Sequence, residues 1–308
     1  MPDNTSPYPH LVLVRNRAGV SIPFSADALA TSLLVAGLNP QQAYELASAI
    51  EQSLQVRPEI EVSSRELSER VATLLETRIG VAESERYLSW RRFRQSGRPL
   101  VLCLHGTPGV GKSTMATNLA PRFGVRRVVA TDALREVLRM VVPRSAAPDL
   151  HRAAHEAVSG GEDPSSAGFL RQAHAVGDAA IAVAERTVGE GRNLILVGSH
   201  LIPGELGRAL AQRGNDALVL ELLLTLESES LHRSVMMRHT RSDPAHPDVR
   251  HIQNFSGVRL LQTELQRLAR ESGVPWFDAT SQTSLTEWIV DHVVASGSSK
   301  TKVQAEAI

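Results

Sequence analysis

Apolar and polar residues alternate in two different ways along the chain, and the change comes near residue 96. In the first part, two short apolar runs, Leu11–Val14 and Val20–Phe24, flank the polar turn 15–19 and predict a β-hairpin. Helical spacing follows, because apolar residues recur every three or four positions over three stretches. These are Leu29, Leu33 and Ala36, then Ala43, Leu46, Ile50 and Leu54, then Leu67, Val71 and Leu74. With a further helix predicted at 82–94, residues 10–95 are expected to form one small, mainly helical domain with an N-terminal hairpin.

Strands and helices alternate after the linker Ser96–Pro99. The apolar runs predict strands at 100–104, 127–130, 193–198, 217–224 and 274–277. Helices are predicted at 112–122, 132–141, 167–189, 226–239, 254–271 and 285–295. This order favours an α/β fold in which helices cover both faces of a parallel sheet, so we assign residues 99–295 to a second domain. Residues 143–166 are expected to form a mobile loop with a short helix, and the tail 296–308 to be disordered.

The composition limits the core and the partners. Of 308 residues, 42% are hydrophobic but only 4% are aromatic, so the core must be built mostly from aliphatic side chains. The formal net charge is zero, which gives no reason to expect nucleic acid or an anionic membrane as a partner. The lone Cys103 cannot form an internal disulfide and lies in an apolar run, so we predict a buried thiol in a reducing compartment. Neither a membrane-length apolar run nor a signal-peptide pattern is found, which predicts a cytoplasmic protein; homo-oligomerisation is left open.

A glycine-rich stretch between a predicted strand and a predicted helix carries the strongest chemical signal. It contains Gly106, Thr107, Pro108, Gly109, Val110, Gly111, Lys112 and Ser113, and Thr114 follows. The G-x-x-x-x-G-K-S pattern is typical of a P-loop, in which backbone N–H groups at a helix N-terminus surround a phosphate. Lys112 is suited to reach the β- and γ-phosphates, and the Ser113 hydroxyl to bind Mg²⁺. The stretch therefore predicts an ATP site with Mg²⁺; a Gly-rich turn before an ordinary helix is the simpler alternative.

Polar residues at the ends of two other predicted strands are candidates for a phosphate-acceptor site. Asp132 follows the second predicted strand of this domain, and His200 follows the third. Because parallel strands end at one edge of a sheet, both side chains are expected near the P-loop. Asp132 is suited to accept a proton from a hydroxyl or to hold Mg²⁺ through water, and it would also serve as a helix N-cap. Arg135, with Arg139 one turn further on, would either meet an anionic acceptor or lie on a solvated helix face. His200 would bind an anion, relay a proton or be structural.

Basic residues are concentrated between positions 232 and 259, on both sides of a polar Ser-Asp-Pro-Ala-His-Pro stretch. In small-molecule P-loop kinases, such a lid closes over the phosphates, and its arginines neutralise developing charge. We expect Arg238 or Arg241 to contact ATP, unless these cations only complement a helix C-terminus. The predicted catalytic residues are Lys112, Asp132 and Arg238. The histidines of this stretch lack Cys or carboxylate neighbours at zinc-site spacing, so a metal site is not expected there.

Two sets of residues resemble known families. The runs Arg15-Asn16-Arg17 and Tyr87-Leu88-Ser89-Trp90-Arg91-Arg92 are similar to the two ends of an ATP-cone, a small regulatory nucleotide-binding module. From Leu11 to about Val293, the chain resembles archaeal-type 2-phosphoglycerate kinase, which joins such a cone to a P-loop kinase domain. Further matching stretches are Thr131-Asp132-Ala133-Leu134-Arg135-Glu136-Val137 and Gly198-Ser199-His200-Leu201-Ile202-Pro203-Gly204. The resemblance implies ATP-dependent phosphorylation of 2-phosphoglycerate to 2,3-bisphosphoglycerate.

An acceptor of this kind carries several negative charges and needs several cations around it. Arg135, His200 and the lid arginines are the predicted cationic contacts, with Asp132 beside them. Two alternatives stay open: the acceptor is another sugar acid or alcohol, or the protein is a nucleotide-sensing regulator without turnover. In the first domain, Arg15 and Arg17 lie on a turn suited to nucleotide phosphates, but a charged hairpin tip explains them as well. We do not expect nucleic acid to bind the arginines between 86 and 98, because acidic residues precede them at helical spacing.

Overall fold

A computed structural model describes residues 12–16, 18–55, 61–159, 166–242 and 252–305, except for the side chains of 239–242, 282–284 and 297–305. The chain divides into two compact units. Met1–Ser96 groups with Val290–Ile308, and Gly97–Ile289 forms the other unit.

The described part of the first unit has a three-stranded sheet and a set of helices. The strands are β1 (Leu13–Arg15), β2 (Ser21–Pro23) and β3 (Glu61–Ser63), and the helices are α1 (Ala26–Val35), α2 (Pro40–Gln55), α3 (Ser64–Arg78) and α4 (Val81–Gln95). β1 pairs antiparallel with β2, as in the predicted hairpin, and parallel with β3. The sequence does not predict β3, because three residues are too few to show an alternating pattern. Leu11 and Arg17, which belong to the predicted hairpin, lie outside the described residues.

Apolar helix faces form the core of the first unit. Leu33, Val71 and Leu75 are fully buried and lie in one cluster with Val62 of β3 and Tyr87 of α4. Burial of one such aliphatic side chain contributes roughly 1.5–3 kcal/mol. The cluster contains the three predicted apolar stripes almost completely, so periodicity alone identified this core.

The second unit is built on a parallel sheet, which confirms the predicted α/β class. Its strands in the described residues are β4 (Leu100–Gly106), β5 (Arg127–Ala130), β6 (Leu194–Gly198), β7 (Leu218–Thr225) and β8 (Trp276–Asp278). They lie in the order β5-β6-β4-β7-β8, and each neighbouring pair is parallel. β4 is buried along its whole length, which explains why its first five residues, 100–104, are all apolar rather than alternating.

Helices connect these strands and cover the sheet. They are α5 (Lys112–Arg122), α6 (Thr131–Val141), α7 (Ala154–Ser159), α8 (Ala167–Gly189), α9 (Glu205–Gln212), α10 (Glu229–Ser242) and α11 (Phe255–Ser272). A last helix, α12 (Gln282–Ala305), follows β8, and its residues from Val290 onward group with the first unit. One buried cluster includes Ala180 of α8 and Leu206 of α9, and another includes Ala173 of α8 and Leu265 of α11. A short 3₁₀ turn, Pro148–His151, and α7 occupy part of the stretch predicted to be a mobile loop.

The observed helices differ from the sequence prediction in one added helix and in several boundaries. Helix α9 was not predicted, because its eight residues show only Leu206 and Leu210 as a buried apolar pair. Helix α12 extends to Ala305 rather than ending at 295. Once a helix has formed, each residue that is added gains one hydrogen bond, so extension costs much less than starting a new helix. The predicted disordered tail therefore begins inside a helix, and its last three residues lie outside the described part of the chain. Helix α6 begins at Thr131, so Ala130 is its N-cap and Asp132 lies within its first turn. The alternative in which Asp132 only caps this helix is therefore wrong.

None of the helices in the described part of the chain has the length and apolar character needed to span a bilayer.

A buried polar cluster connects the centre of the sheet to the segment that follows β6. His105 of β4 is fully buried, and its Nε2 lies 2.9 Å from Glu221 Oε2 of β7. Its Nδ1 lies 3.1 Å from the carbonyl oxygen of Leu201. The two oxygens of Glu221 accept N–H bonds at the start of α9, from Gly204 at 2.9 Å and Gly207 at 2.8 Å. Together these bonds hold both ends of the segment between His200 and α9.

The charges in this cluster follow from the same contacts. Both ring nitrogens of His105 face oxygen acceptors, the Leu201 carbonyl and the Glu221 carboxylate. Burial raises the pKa of the Glu221 carboxyl, but the hydrogen bond and charge of His105 and the two backbone N–H bonds outweigh it. The net result is a pKa below the usual 4.5. Glu221 is therefore a carboxylate at neutral pH.

The same cluster satisfies the distance test for a metal site but not the chemical one. Ligand atoms of Cys103, His105 and Glu221 lie within 4.8 Å of one another. A metal would need a thiolate, whereas burial and the nearby Glu221 charge raise the pKa of Cys103 well above its usual value. The Glu221 oxygens are already occupied by backbone N–H donors. We interpret the cluster as a hydrogen-bonded support, with Cys103 buried as predicted.

We expect Glu221→Gln to lower the free energy of unfolding by about 1–3 kcal/mol at pH 7, because an amide NH₂ group replaces one carboxylate oxygen and at least one of the three N–H donors loses its acceptor. The pKa of Glu221 is lowered by folding, so its contribution is complete above pH 4.5 and is lost as the pH falls through the lower folded pKa. The difference between wild type and variant should therefore shrink below pH 4.5. Urea unfolding at a series of pH values measures both effects.

Glu205→Gln is the matched control, since Glu205 lies at the start of the same helix but is partly exposed. Its change should stay below about 1 kcal/mol and vary little with pH. Equal effects of the two substitutions would contradict the role given to Glu221.

Candidate active site

The glycine-rich stretch forms a tight loop between β4 and α5. Gly106, Gly109 and Gly111 have φ angles of 148°, 82° and 84°, and Gly111 is the N-cap of α5. A Cβ atom at Gly109 would lie 2.5 Å from Met236 Cγ of α10, so a larger residue does not fit there. The loop thus curls around the N-terminus of a helix, whose free N–H groups and dipole favour an anion. This is the local geometry that a P-loop requires.

Polar groups in the loop fit a bound phosphate. Lys112 Nζ donates a hydrogen bond to the Thr107 carbonyl oxygen at 2.6 Å, so the ammonium group lies over the loop. The Thr107 hydroxyl is fully buried and has no hydrogen-bond partner among the described residues. Ser113 and Thr114 are exposed in the first turn of α5, whereas Val110 is buried. An unsatisfied hydroxyl beside a lysine and a helix N-terminus is what a phosphate oxygen would complete.

His200 and Asp132 lie at the same edge of the sheet as the P-loop. The strand β6 lies between β4 and β5, so Gly106, Gly198 and Ala130 end three adjacent parallel strands. His200 Nδ1 lies 3.0 Å from Thr131 Oγ1 and 3.9 Å from Asp132 Oδ1. The structure therefore brings together two of the predicted acceptor-site residues, as the common strand edge requires.

Close packing fixes the His200 ring against α6. A Cβ atom at position 198 would lie 1.7 Å from Thr131 Oγ1, so only glycine lets α6 approach β6 this closely. Thr131 is fully buried, and its hydroxyl bonds the His200 ring. Sequence inspection did not single out Thr131, because a threonine before a helix is common and its partner is 69 residues away.

His200 is neutral in the free protein, and one of its nitrogens is unsatisfied. Burial lowers the pKa of His200 to about 4; the charges of Arg135 and Lys112 lower it as well, against Asp132 and Glu136. The Nε2 atom is buried and has no hydrogen-bond partner among the described residues. Lys112 belongs to the P-loop after β4, and His200 follows β6, the strand paired with β4.

The arginines of α6 are mostly occupied within the protein. Arg135 Nη1 lies 3.1 Å from the Arg152 carbonyl and 3.4 Å from that of Leu150, and its Nη2 bonds Glu136. Arg139 Nη1 bonds both oxygens of Glu136 at 2.9 and 2.8 Å. Arg135 therefore holds the 3₁₀ turn against α6, and its predicted contact with the acceptor stays a prediction.

The predicted lid arginines lie on α10, which contacts the P-loop directly. Arg238 is exposed on this helix, and the side chain of Arg241 lies outside the described part of the chain, as do residues 243–251. Arg233 takes another role, because its guanidinium lies 4.3 Å from the centroid of the Phe255 ring. Which arginine contacts ATP stays a prediction.

Comparison with known proteins gives the same assignment as the geometry. Residues 12–96 match the family model of the ATP cone domain. The 2-phosphoglycerate kinase of Methanopyrus kandleri is 30% identical to this chain over 278 residues, which cover 88% of this chain and 84% of the relative. The enzyme of that name from Methanothermobacter thermautotrophicus is 31% identical over 261 residues, covering 82% of this chain and 84% of the relative. That of Pyrococcus horikoshii is 33% identical over 261 residues, covering 83% and 84%. This protein therefore belongs to the 2-phosphoglycerate kinase family.

Proposed function

We propose that this kinase transfers the γ-phosphoryl group of ATP to the free hydroxyl of 2-phosphoglycerate and releases ADP and 2,3-bisphosphoglycerate. One observation carries the proposal: the buried, unsatisfied Nε2 of His200 lies at the strand edge that also carries the P-loop. A buried imidazole nitrogen without a partner is costly unless a ligand completes it. The names of the relatives make 2-phosphoglycerate the first choice for that ligand.

The donor side of the site consists of the P-loop and the start of α5. Backbone N–H groups of the loop bind the β- and γ-phosphates, and Lys112 exchanges its bond to the Thr107 carbonyl for phosphate oxygens. Ser113 is the proposed protein ligand of Mg²⁺, with Asp132 contacting the ion through water. When bound, Mg²⁺ neutralises charge that accumulates on the phosphate oxygens. Arg238 or Arg241 is the proposed lid residue that contacts the phosphates of ATP.

The acceptor side orients the hydroxyl and the acidic groups of the substrate. The hydroxyl oxygen forms a bond to the γ-phosphorus while the bond from that phosphorus to the β-phosphate oxygen breaks, so ADP leaves with the electron pair. Asp132 is exposed and near His200, and it takes the hydroxyl proton. Because the transition state is loose, most of the catalysis comes from positioning and charge stabilisation rather than from a strong base.

Recognition of the acceptor falls mainly to His200. An anionic phosphate or carboxylate near the ring favours its protonated form, so the pKa of His200 rises above its free-protein value of about 4 when the substrate binds. Lys112 is the second cation near the same position. Arg135 has its terminal nitrogens bonded to carbonyls and to Glu136, so its predicted contact with the acceptor would require an exchange of these bonds.

The direct test is a panel of acceptors with purified protein, ATP and Mg²⁺, followed by ADP release. We expect turnover with 2-phosphoglycerate, and Lys112→Ala should lower kcat by about 100-fold or more, because an interaction with the transferring phosphoryl group is lost. Turnover only with another sugar acid or alcohol would show that 2-phosphoglycerate is not the acceptor and would leave the kinase assignment unchanged. Tight ATP binding without turnover on any acceptor would indicate a regulator instead.

His200→Phe tests the acceptor side separately. We expect the KM for 2-phosphoglycerate to rise about tenfold or more with the KM for ATP within about twofold, because a hydrogen bond to an anionic group is lost. His200→Gln returns an N–H near the Nε2 position and should recover part of the loss. Steady-state kinetics with each substrate varied in turn measures both constants. Equal changes in the two KM values would show that His200 has no particular role toward the acceptor.

Ser113→Ala tests the proposed metal contact. We expect the Mg²⁺ concentration that gives half-maximal turnover to rise about tenfold, since the proposed oxygen ligand from the protein is lost. Thr117→Ala is the matched control, because Thr117 lies one turn further along α5 and its hydroxyl bonds the Ser113 carbonyl. The control should leave the Mg²⁺ dependence unchanged. A Mg²⁺ titration with the same shift in both variants would rule out a specific role for Ser113.

A further inference from the structure

The side chain of His232 connects the P-loop to two helices. It is fully buried on α10, and its Nε2 lies 2.8 Å from the carbonyl oxygen of Pro108. Its Nδ1 lies 3.4 Å from Arg259 Nη1 of α11. The ring also meets the edge of Phe255, with centroids 5.4 Å apart and planes at 74°. Both ring nitrogens and the ring face of His232 therefore have a partner. The bond to Pro108 joins two residues that are 124 positions apart in the chain.

These partners determine the tautomer of His232. A carbonyl oxygen only accepts, so Nε2 must carry the proton and donate it to Pro108. A guanidinium only donates, so Nδ1 must be the acceptor for Arg259. Arg259 is itself fixed by the carbonyls of Leu226 at 2.6 Å and Glu227 at 3.2 Å. Burial lowers the pKa of His232; the Pro108 bond opposes this, and the charges of Arg259 and Lys112 add to it, so the ring is neutral.

Holding the Pro108 carbonyl also fixes the direction of the next N–H. Peptide bonds in the described part of the chain are trans, and in a trans peptide the C=O and N–H point in opposite directions. The Gly109 N–H therefore points away from His232. This peptide needs an external restraint, because Gly109 has a φ of 82° and glycine tolerates both orientations of an adjacent peptide. A reversed peptide would present a carbonyl oxygen where a P-loop needs a donor.

We infer that His232 is a positioning residue for the P-loop: its N–H bond to the Pro108 carbonyl keeps the Gly109 N–H directed at the phosphates of ATP. Arg259 fixes the tautomer that makes this bond. Helix α10 thereby contacts the P-loop at two points. His232 bonds the backbone of the loop, and Met236, one helical turn further on, fills the space next to Gly109. The inference rests on the proposed ATP site and is independent of the acceptor.

Three variants of the full chain test the inference by steady-state kinetics. His232→Phe keeps a ring against Phe255 but leaves the Pro108 carbonyl without a donor, and we expect the KM for ATP to rise about tenfold. The KM for 2-phosphoglycerate should stay within about twofold, since the acceptor side is untouched. His232→Gln places an amide N–H near the Nε2 position and should return the KM for ATP to within about threefold of wild type.

Val258→Ala is the matched control for simple loss of packing. Val258 is fully buried and shares a cluster with Met236 and Phe255, but it makes no side-chain hydrogen bond. It should lower Tm without raising the KM for ATP relative to that for the acceptor. If His232→Phe does not fold, His232→Asn replaces it, because the asparagine amide is one methylene shorter than that of glutamine and stops short of Pro108.

The outcomes separate this inference from the proposed function. A KM for ATP unchanged in His232→Phe or His232→Asn would overturn the inference, and so would equal rises in both KM values or a fall in Tm alone. Failure of His232→Gln to recover ATP binding would also overturn it. In contrast, full ADP release by Lys112→Ala would show that the proposed ATP site itself is wrong.

Discussion

The site depends on parallel pairing at the centre of one sheet. Because β5, β6 and β4 are adjacent and parallel, their carboxyl ends meet at one edge, and each is followed directly by a polar segment. The P-loop follows the central strand β4, and the two acceptor-side segments follow its neighbours on one side. Lys112 and His200 follow paired strands, so the sheet itself brings both residues to one edge without a rearrangement of flexible loops. The separation of these segments is therefore set by strand spacing, which is one of the least variable dimensions in proteins, and in the proposed function it sets the distance between donor and acceptor.

Strand ends place the segments, but buried polar contacts orient them. The segment with His200 is held by Thr131 of α6 and by the His105–Glu221 pair of the sheet strands β4 and β7. The P-loop is held by His232, which in turn depends on Arg259. Each support is costly to bury unless its donors and acceptors are satisfied. The His105–Glu221 pair and His232 bond backbone groups of the segments they hold, whereas Thr131 bonds the His200 ring. The cost of burying polar groups thus favours the arrangement of the two segments in which these bonds form.

Local patterns predicted the parts of this site that depend on neighbouring residues. The run Gly106–Ser113 predicts a P-loop because strand, glycines and helix are adjacent in sequence, and Asp132 and His200 were found as polar residues after apolar runs. The supports were missed for a physical reason. His105 and Glu221 are 116 residues apart, and each lies inside an apolar run whose pattern predicts only a buried strand. In the sequence, His232 is one of several histidines of the predicted lid, and nothing distinguishes it from the others. Periodicity identifies a strand or a helix face, but it does not determine which residue lies opposite across the sheet.

The charge of the acceptor site follows from what its cations already contact. Arg135 and Arg139 are bonded to carbonyls or to Glu136, and Lys112 lies on the Thr107 carbonyl. The remaining buried group, His200, is neutral because burial and the charges of Arg135 and Lys112 disfavour its protonated form. A site with several fixed, unpaired cations would destabilise the fold in the absence of ligand. In the proposed function, the positive charge at His200 arises only when an anionic acceptor is present to stabilise it, so the fold need not carry that charge in the absence of the acceptor.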